Sequence, residues 1–351
     1  MTTTRKASGN VMSNGVIFLL MSALLATALA CTIERDADVY AHGADAIRLS
    51  QTAAARTWPG MATLGDGFVV IDGDREVAVC MNSAPGFEPL RSRPLKGCPA
   101  FVRPRQFPPA MQASLGMFGV EETVLVAPPA LLGQSVTEWQ LLFVHERFHQ
   151  WQSTLPDYHE RIAALDLAGD DQTGMWMLTY PFPYDDPNVG ADFRQLSLAL
   201  AEALLQDDGE SFESAAAAYP KLRSEIFGRL DEQDRRYAEF QLWKEGAARW
   251  TEISVGAGIA DGDTERAGEF RQLAAAIAAR ELATLAEVRL AEQRRGIFYA
   301  IGAMEWALVD RVDPRWRDGY GAGSLAVEPF LARARHLLRH RGPETAAAAT
   351  Q

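Results

Sequence analysis

Clustered basic charge is what this chain most lacks. Its 34 Lys and Arg residues are outnumbered by 46 Asp and Glu, for a formal charge of −12, and they are scattered along the sequence. That leaves no electrostatic footprint for a nucleic acid. Cysteine is scarce, at three residues, with no CxxC and no neighbouring Cys/His pairing, so a cysteine-built zinc site is excluded. No internal repeat is present, which sets aside solenoids and arrays. No apolar run has the roughly 20 residues of a permanent membrane-spanning helix. Histidine is limited to six residues, so a spaced pair of them is not a by-product of abundance. What remains is an acidic chain of 351 residues, 48% hydrophobic and 23% charged. That is enough apolar material for one large core or two modest ones.

The first thirty residues read as a signal peptide. Arg5 and Lys6 form the positive region, Val16 to Leu29 the apolar one, and Ala28-Leu29-Ala30 a small-x-small cleavage site. Cys31 follows at once, where bacterial lipoproteins carry an acylated cysteine, although Ala28 stands where those proteins usually have Leu. Two expectations stay open: soluble export to the periplasm, and membrane attachment through a lipidated Cys31. In an exported chain the two remaining cysteines, Cys80 and Cys98, are expected to form a disulfide.

Residues 31–57 have the texture of a tether followed by a short helix, and residues 58–130 that of a β-rich part punctuated by Pro and Gly. Phe68 to Ile71 and Glu76 to Cys80 flank an Asp-Gly-Asp turn and predict a hairpin, and Glu122 to Val126 a further strand. Trp58-Pro-Gly60 and Ser83 to Phe87 fall in the same front part, a candidate far wall for a cleft. The strand at 122–127 is expected at a sheet edge, where an extended peptide could pair with it. From 131 to 341 the texture is helical, and a small-residue tail at 342–351 is expected to be disordered. Ser135-Val-Thr-Glu138 is a capping-box signature for a helix running to about Thr154 and stopped by Pro156. Further helices are predicted near 158–168, 192–207, 211–228, 231–256, 264–284, 287–311 and 325–340. A β-rich part followed by a helical one gives the α+β class.

The capped helix carries His145-Glu146-Arg147-Phe148-His149. Residues four apart share a helix face, so two imidazoles can meet one metal ion with Glu146 beside them. A carboxylate there can take the proton of a water whose pKa the metal has lowered. Trp139, Leu142, Phe143 and Trp151 supply packing for a buried helix. The bland alternative is a coincidental pattern on a surface helix, and the cap, the preceding strand and the export signal argue against it. Catalytic zinc takes three protein ligands and keeps a fourth position open. No histidine follows soon after His149, so the third ligand is sought among downstream acids or at His159. In the helical stretch Trp243 to Glu252, Glu245 is followed by Gly246. A mid-helix glycine costs about 1 kcal/mol relative to Ala and marks a close backbone approach, expected here against the His145/His149 helix.

Together these residues resemble the gluzincins, the clan of zinc peptidases that contains thermolysin and the zinc aminopeptidases. His145-Glu-Arg-Phe-His-Gln-Trp151 is similar to the aminopeptidase form, and Glu245-Gly-Ala-Ala248 to the setting of its third ligand. Tyr299-Ala-Ile-Gly302 resembles the Tyr-x-x-Gly whose tyrosine hydrogen-bonds the oxyanion. The resemblance implies a zincin-like α+β domain with zinc on His145, His149 and Glu245. It further implies Glu146 as general base and Tyr299 as oxyanion donor. The chain also departs from that pattern. Between His149 and Glu245 lie 95 residues, far more than in aminopeptidases. Lys244 and Ile301 stand where the family has Asn and Lys, and Arg249 where it has an Asp that supports a ligand. Glu252, one turn further along, is the candidate to orient a ligating histidine instead. Gly302-Ala-Met-Glu305 imitates the aminopeptidases' motif for the substrate N-terminus but follows the histidine helix rather than preceding it, and so reads as a decoy.

The functional expectation is an exported zinc metallopeptidase acting on a peptide or protein. Two alternatives stand beside it: a non-catalytic envelope protein that binds zinc or a partner, and a zinc hydrolase of another bond, such as an amide in cell-wall material. A binder needs neither Glu146 nor Tyr299. His159, His336 and His340 are expected on exposed helix surfaces, and Tyr180 to Tyr184 as a rigid aromatic loop, either walling a cleft or simply packed.

Overall fold

The structure, a computed structural model, describes residues 39–118, 122–171 and 173–340. The expected signal peptide, Cys31 and the tail at 342–351 lie outside the described residues. The chain is α+β: one N-terminal helical segment, then a six-stranded mixed sheet, then a layer of helices. The strands are β1 (Phe68–Asp72), β2 (Arg75–Val79), β3 (Glu88–Pro89), β4 (Ala100–Pro104), β5 (Gln112–Gly116) and β6 (Glu122–Val126), in the spatial order β3-β4-β2-β1-β6-β5. The predicted hairpin is β1–β2, whose register pairs Asp72 with Arg75 across a turn that Gly73 enters at φ +66°. A side chain would be strained at that angle.

The expectation that 122–127 forms the sheet edge is corrected. β6 is internal, parallel to β1 on one side and antiparallel to β5 on the other, so the edge strand is Gln112–Gly116. Gln-Ala-Ser-Leu-Gly carries none of the β-branched or aromatic residues that mark a strand. Pairing with β6, not intrinsic preference, extends it. A disulfide joins Cys80, just after β2, to Cys98, just before β4, with Cα atoms 4.5 Å apart.

Side chains alternate across a strand, and both sheet faces are covered. Phe68, Val70, Val77, Val79, Val124 and Val126 face the helices α1 (Val39–Leu49) and α2 (Val136–Ser153), meeting Ile47, Trp139 and Phe143. Val69, Ile71, Ala78 and Leu125 face the other way, under Met81, Phe87, Phe107 and Met111. Double coverage is why β1 and β6 are continuous apolar runs rather than alternating ones.

α2 begins as the capping box predicts: Ser135 accepts from the Glu138 amide, and Glu138 accepts from the Ser135 amide. It is buried nearly all round. Trp139 and Phe143 meet the sheet, and Phe148 enters the helical core. Arg147, fully buried, donates to the Gly65 carbonyl at 2.8 Å and so clasps the segment leading into β1. Trp58 belongs to this helical core and not to the β-rich part. Its ring packs on Phe148, Trp151 and Tyr320, and its Nε1–H donates to Thr251 at 2.9 Å.

After α2 come the short α3 (Tyr158–Ala163) and the longer α4 (Pro187–Leu205), α5 (Glu210–Phe227), α6 (Glu232–Gln241), α7 (Ala247–Ala257), α8 (Ala267–Ala286), α9 (Ile297–Val312) and α10 (Glu328–His340). α6 and α7 are one continuous rod joined by a π turn at Leu242–Gly246. The expected close approach at Gly246 is present, but its partner is α9 and not the histidine helix. A Cβ built on Gly246 would lie 2.4 Å from the Gly302 Cα, and one on Gly302 2.6 Å from the Gly246 Cα. Two glycines facing each other let the backbones touch where any side chain would wedge them apart. No helix among the described residues is long and apolar enough to cross a membrane.

Candidate metal centre

α2 supplies His145 and His149 one turn apart, with ring centroids 4.7 Å from each other. The π turn supplies Glu245, and a π insertion of this kind re-aims one side chain relative to its neighbours. The three donor atoms converge. The two Nε2 atoms are 3.0 Å apart, and Glu245 Oε2 lies 3.3 Å from that of His149 and 3.6 Å from that of His145. All three residues are buried.

The second nitrogen of each ring is held from behind. His145 Nδ1–H donates to Glu252 Oε1 and His149 Nδ1–H to Gln152 Oε1, each at 2.6 Å. The Gln152 amide is oriented by its own donor end, which gives a hydrogen bond to the Tyr320 hydroxyl at 2.6 Å, and that hydroxyl in turn donates to the Trp243 carbonyl. Protons placed on both Nδ1 atoms leave both Nε2 lone pairs pointing inward, toward a carboxylate oxygen. Three acceptors facing one another in a buried space repel unless a cation or a proton lies between them. Donors held at about 2.0–2.2 Å by one tetrahedral zinc stand about 3.3–3.5 Å apart, close to the three separations here. The donor set, its spacing and the backing of each ring fit zinc.

The same crowding shapes proton affinities. Burial works against charge on His145, but the Glu245 and Glu252 carboxylates, which favour the protonated ring, outweigh it and push the imidazole up to about 9. Burial, reinforced by the Lys244 ammonium, drives His149 down to about 4. Burial works against the Glu245 carboxylate, yet His149 and His145 hold it well below the ordinary range. Glu146, next to His145 in the chain and 7% exposed, is pushed up to about 7, chiefly by burial. A carboxyl at that value can both take and return a proton near neutrality.

A second ring of charge surrounds the first. Arg249 donates to Glu252 Oε2 at 2.6 Å, fixing the carboxylate that holds His145, and is itself 3.6 Å from Glu281. Lys244 lies buried with its ammonium 3.2 Å from the Tyr158 hydroxyl and 3.3 Å from His149 Nδ1. Tyr299 stacks on His145, with centroids 5.9 Å apart and planes at 14°. Its hydroxyl accepts from Arg295 at 3.2 Å, and burial together with the Glu245 carboxylate holds its proton on well above the usual phenol range. The Gly246–Gly302 contact explains this placement, because Tyr299 and Glu245 flank it on the two touching backbones.

His145, Glu146, His149, Glu245 and Tyr299 are thus brought together, and Glu252 sits where its helix face predicted. His159 is exposed on α3, and His336 and His340 are exposed on α10. Phe182 and Tyr184 of the aromatic loop are buried against Phe298, so that loop is packing. Glu305 is hydrogen-bonded to Tyr219 and Arg223 between α5 and α9, in keeping with its decoy reading. Gln152 and Arg295 are the participants that sequence reasoning missed. Each follows a simple offset, Gln152 three residues after His149 and Arg295 four before Tyr299, yet nothing local says which polar neighbour is used. No family model, curated protein or solved structure matches the chain.

Proposed function

We propose that the protein is a zinc-dependent hydrolase of gluzincin type, and a peptidase among such hydrolases. The observation that carries this reading is the convergence of His145 Nε2, His149 Nε2 and Glu245 Oε2, with both Nδ1 atoms already engaged. Zinc held there would supply Lewis acidity and make water a stronger acid near neutral pH. Glu146 is the general base and proton shuttle, its carboxyl poised near 7 by burial. Tyr299, kept protonated, is the donor toward the oxygen that becomes negative. Glu252 and Gln152 hold the imidazoles in the ligating tautomer.

Two further features support a peptide substrate outside the cytoplasm. β5 pairs with β6 along one side only among the described residues and packs beside α2, which suits the addition of an extended peptide strand. The Cys80–Cys98 disulfide accords with an oxidising compartment, as does the signal peptide, with Cys31 as the candidate lipid anchor.

The test is metal analysis of the mature chain together with cleavage of a mixed-peptide library. About one zinc per chain and hydrolysis are expected. Glu146→Gln is expected to keep the metal and lose roughly 10²–10⁴ of turnover. Zinc without hydrolysis of any peptide would leave a zinc-binding protein or a hydrolase of another bond. Undiminished hydrolysis by Glu146→Gln would overturn the assigned base.

A further inference from the structure

Among the cations around the centre, one at its margin stands apart. Arg249 is shared between two carboxylates, Glu252 at 2.6 Å and Glu281 at 3.6 Å. Lys244 is sealed in at 8% exposure, against Tyr158. Arg295, at the start of α9, differs. Its side chain is 26% exposed, and its nearest carboxylate oxygen, Glu245 Oε1, is 3.6 Å away, beyond hydrogen-bond reach. Its other contacts are neutral and long: the Tyr299 hydroxyl at 3.2 Å and Gln241 Oε1 at 3.4 Å. A guanidinium offers five N–H donors in a rigid planar fork, and here two are used on neutral acceptors. A full positive charge with spare donors, reaching solvent from the side of the proposed oxyanion donor and one carboxylate's width from the proposed ligand atoms, is the arrangement a bidentate anion contact requires.

We infer that Arg295 receives a carboxylate of the substrate, carried by the residue adjoining the scissile bond. The distance sets that limit, since a group 3.6 Å from a ligand carboxylate reaches only the nearest substrate residue. The substrate class is therefore a peptide whose carboxylate, terminal or on an acidic side chain, lies next to the bond that is cut. Arg295 fixes the register of that peptide on the centre. This inference rests on the zinc hydrolase reading above.

The experiment uses the full mature chain with Glu146→Gln, loaded with zinc so that probes bind without turnover. Binding is followed by calorimetry, and zinc per chain is measured on the same samples. Three probes are compared: acetyl-alanyl-phenylalanine with a free terminal carboxylate, its terminal amide, and acetyl-alanyl-aspartic acid amide. At least one carboxylate probe is expected to bind roughly ten- to a hundredfold tighter than the uncharged amide, the range of a charge-assisted pair. Which of the two does so tells a terminal carboxylate from a side-chain one. Arg295→Gln is expected to abolish that preference with zinc content unchanged. Arg295→Lys, which keeps the charge but not the fork, is expected to retain part of it, and it decides the matter if Arg295→Gln fails to fold. Equal binding of all three probes, or a preference that survives Arg295→Gln, overturns the inference alone. Loss of zinc in Arg295→Gln would make Arg295 a support for Glu245 and overturn it as well. A chain that takes up no zinc at all overturns the metal reading, and this inference with it.

Discussion

Two buried clusters of charge in the helical layer are built from similar residues and closed in opposite ways. Around Arg223, three carboxylates approach one guanidinium: Glu239 and Glu305 at 2.5 Å and Glu328 at 3.2 Å, with Tyr219 completing Glu305. The protein supplies its own cation there, and the cluster ties α5, α6, α9 and α10 together. At His145, His149 and Glu245 the acceptors face one another instead, and the neighbouring cations stand behind them rather than between them. A buried charge cluster that its own chain completes is a structural device. One whose acceptors converge on a shared centre suits a cation from outside the chain, which is the reading proposed above.

If that contrast is sound, damage to the first cluster falls on the fold and damage to the second on chemistry. Arg223→Met should destabilise the chain by about 3–5 kcal/mol, since carboxylates are left buried without their partner. Denaturant unfolding measures this, and the zinc content of the folded fraction should not change. A fall in bound zinc that matches the loss of stability would erase the distinction. Tyr299→Phe should do the reverse, lowering kcat by roughly 10²–10³ with KM, zinc content and melting temperature little changed. Full activity in that variant would remove the tyrosine from the mechanism.

The sequence disclosed the second cluster better than the first, for a physical reason. His145 and His149 are related by one helical turn and Glu252 by a shared face with Glu245, all of which are local rules. Gly246 announced a close contact but not its partner, because a glycine reports that space is absent without saying what occupies it. Arg223 meets Glu305 only through the packing of α5 on α9, and Gln152 meets Tyr320 only through the return of the chain near its end. Such partnerships have no periodic signature. β5 stayed hidden for a related reason: Gln112 to Gly116 is extended because β6 pairs with it, and pairing is a property of two segments. The overall class was legible from the order of textures, while the break of the predicted 287–311 helix at Arg294 to Gly296 was not.

Two smaller effects sharpen the comparison further. Glu252→Gln should weaken zinc binding roughly 10–100-fold in a chelator competition, the usual range for a group that orients a ligand. Unchanged affinity would mean that the His145 ring is held by packing alone. Gly246→Ala should destabilise by about 1–3 kcal/mol through overpacking, because the added methyl would lie 2.4 Å from backbone. A neutral result would show that the α7–α9 crossing yields easily.

That crossing has a consequence for how the site can change over time. Glu245 and Tyr299 are held in common by a joint with no side chain in it, so neither is positioned by apolar neighbours that drift freely among related chains. Substitutions can accumulate around the joint while the Glu245 carboxylate and the Tyr299 phenol keep their mutual spacing. At the joint itself a single substitution carries a cost, because a methyl on either backbone presses the two apart. If the proposed zinc site is right, homologous chains should retain both small residues together with His145, His149 and Glu245, and a chain with one glycine and one bulky residue at these positions should hold zinc poorly.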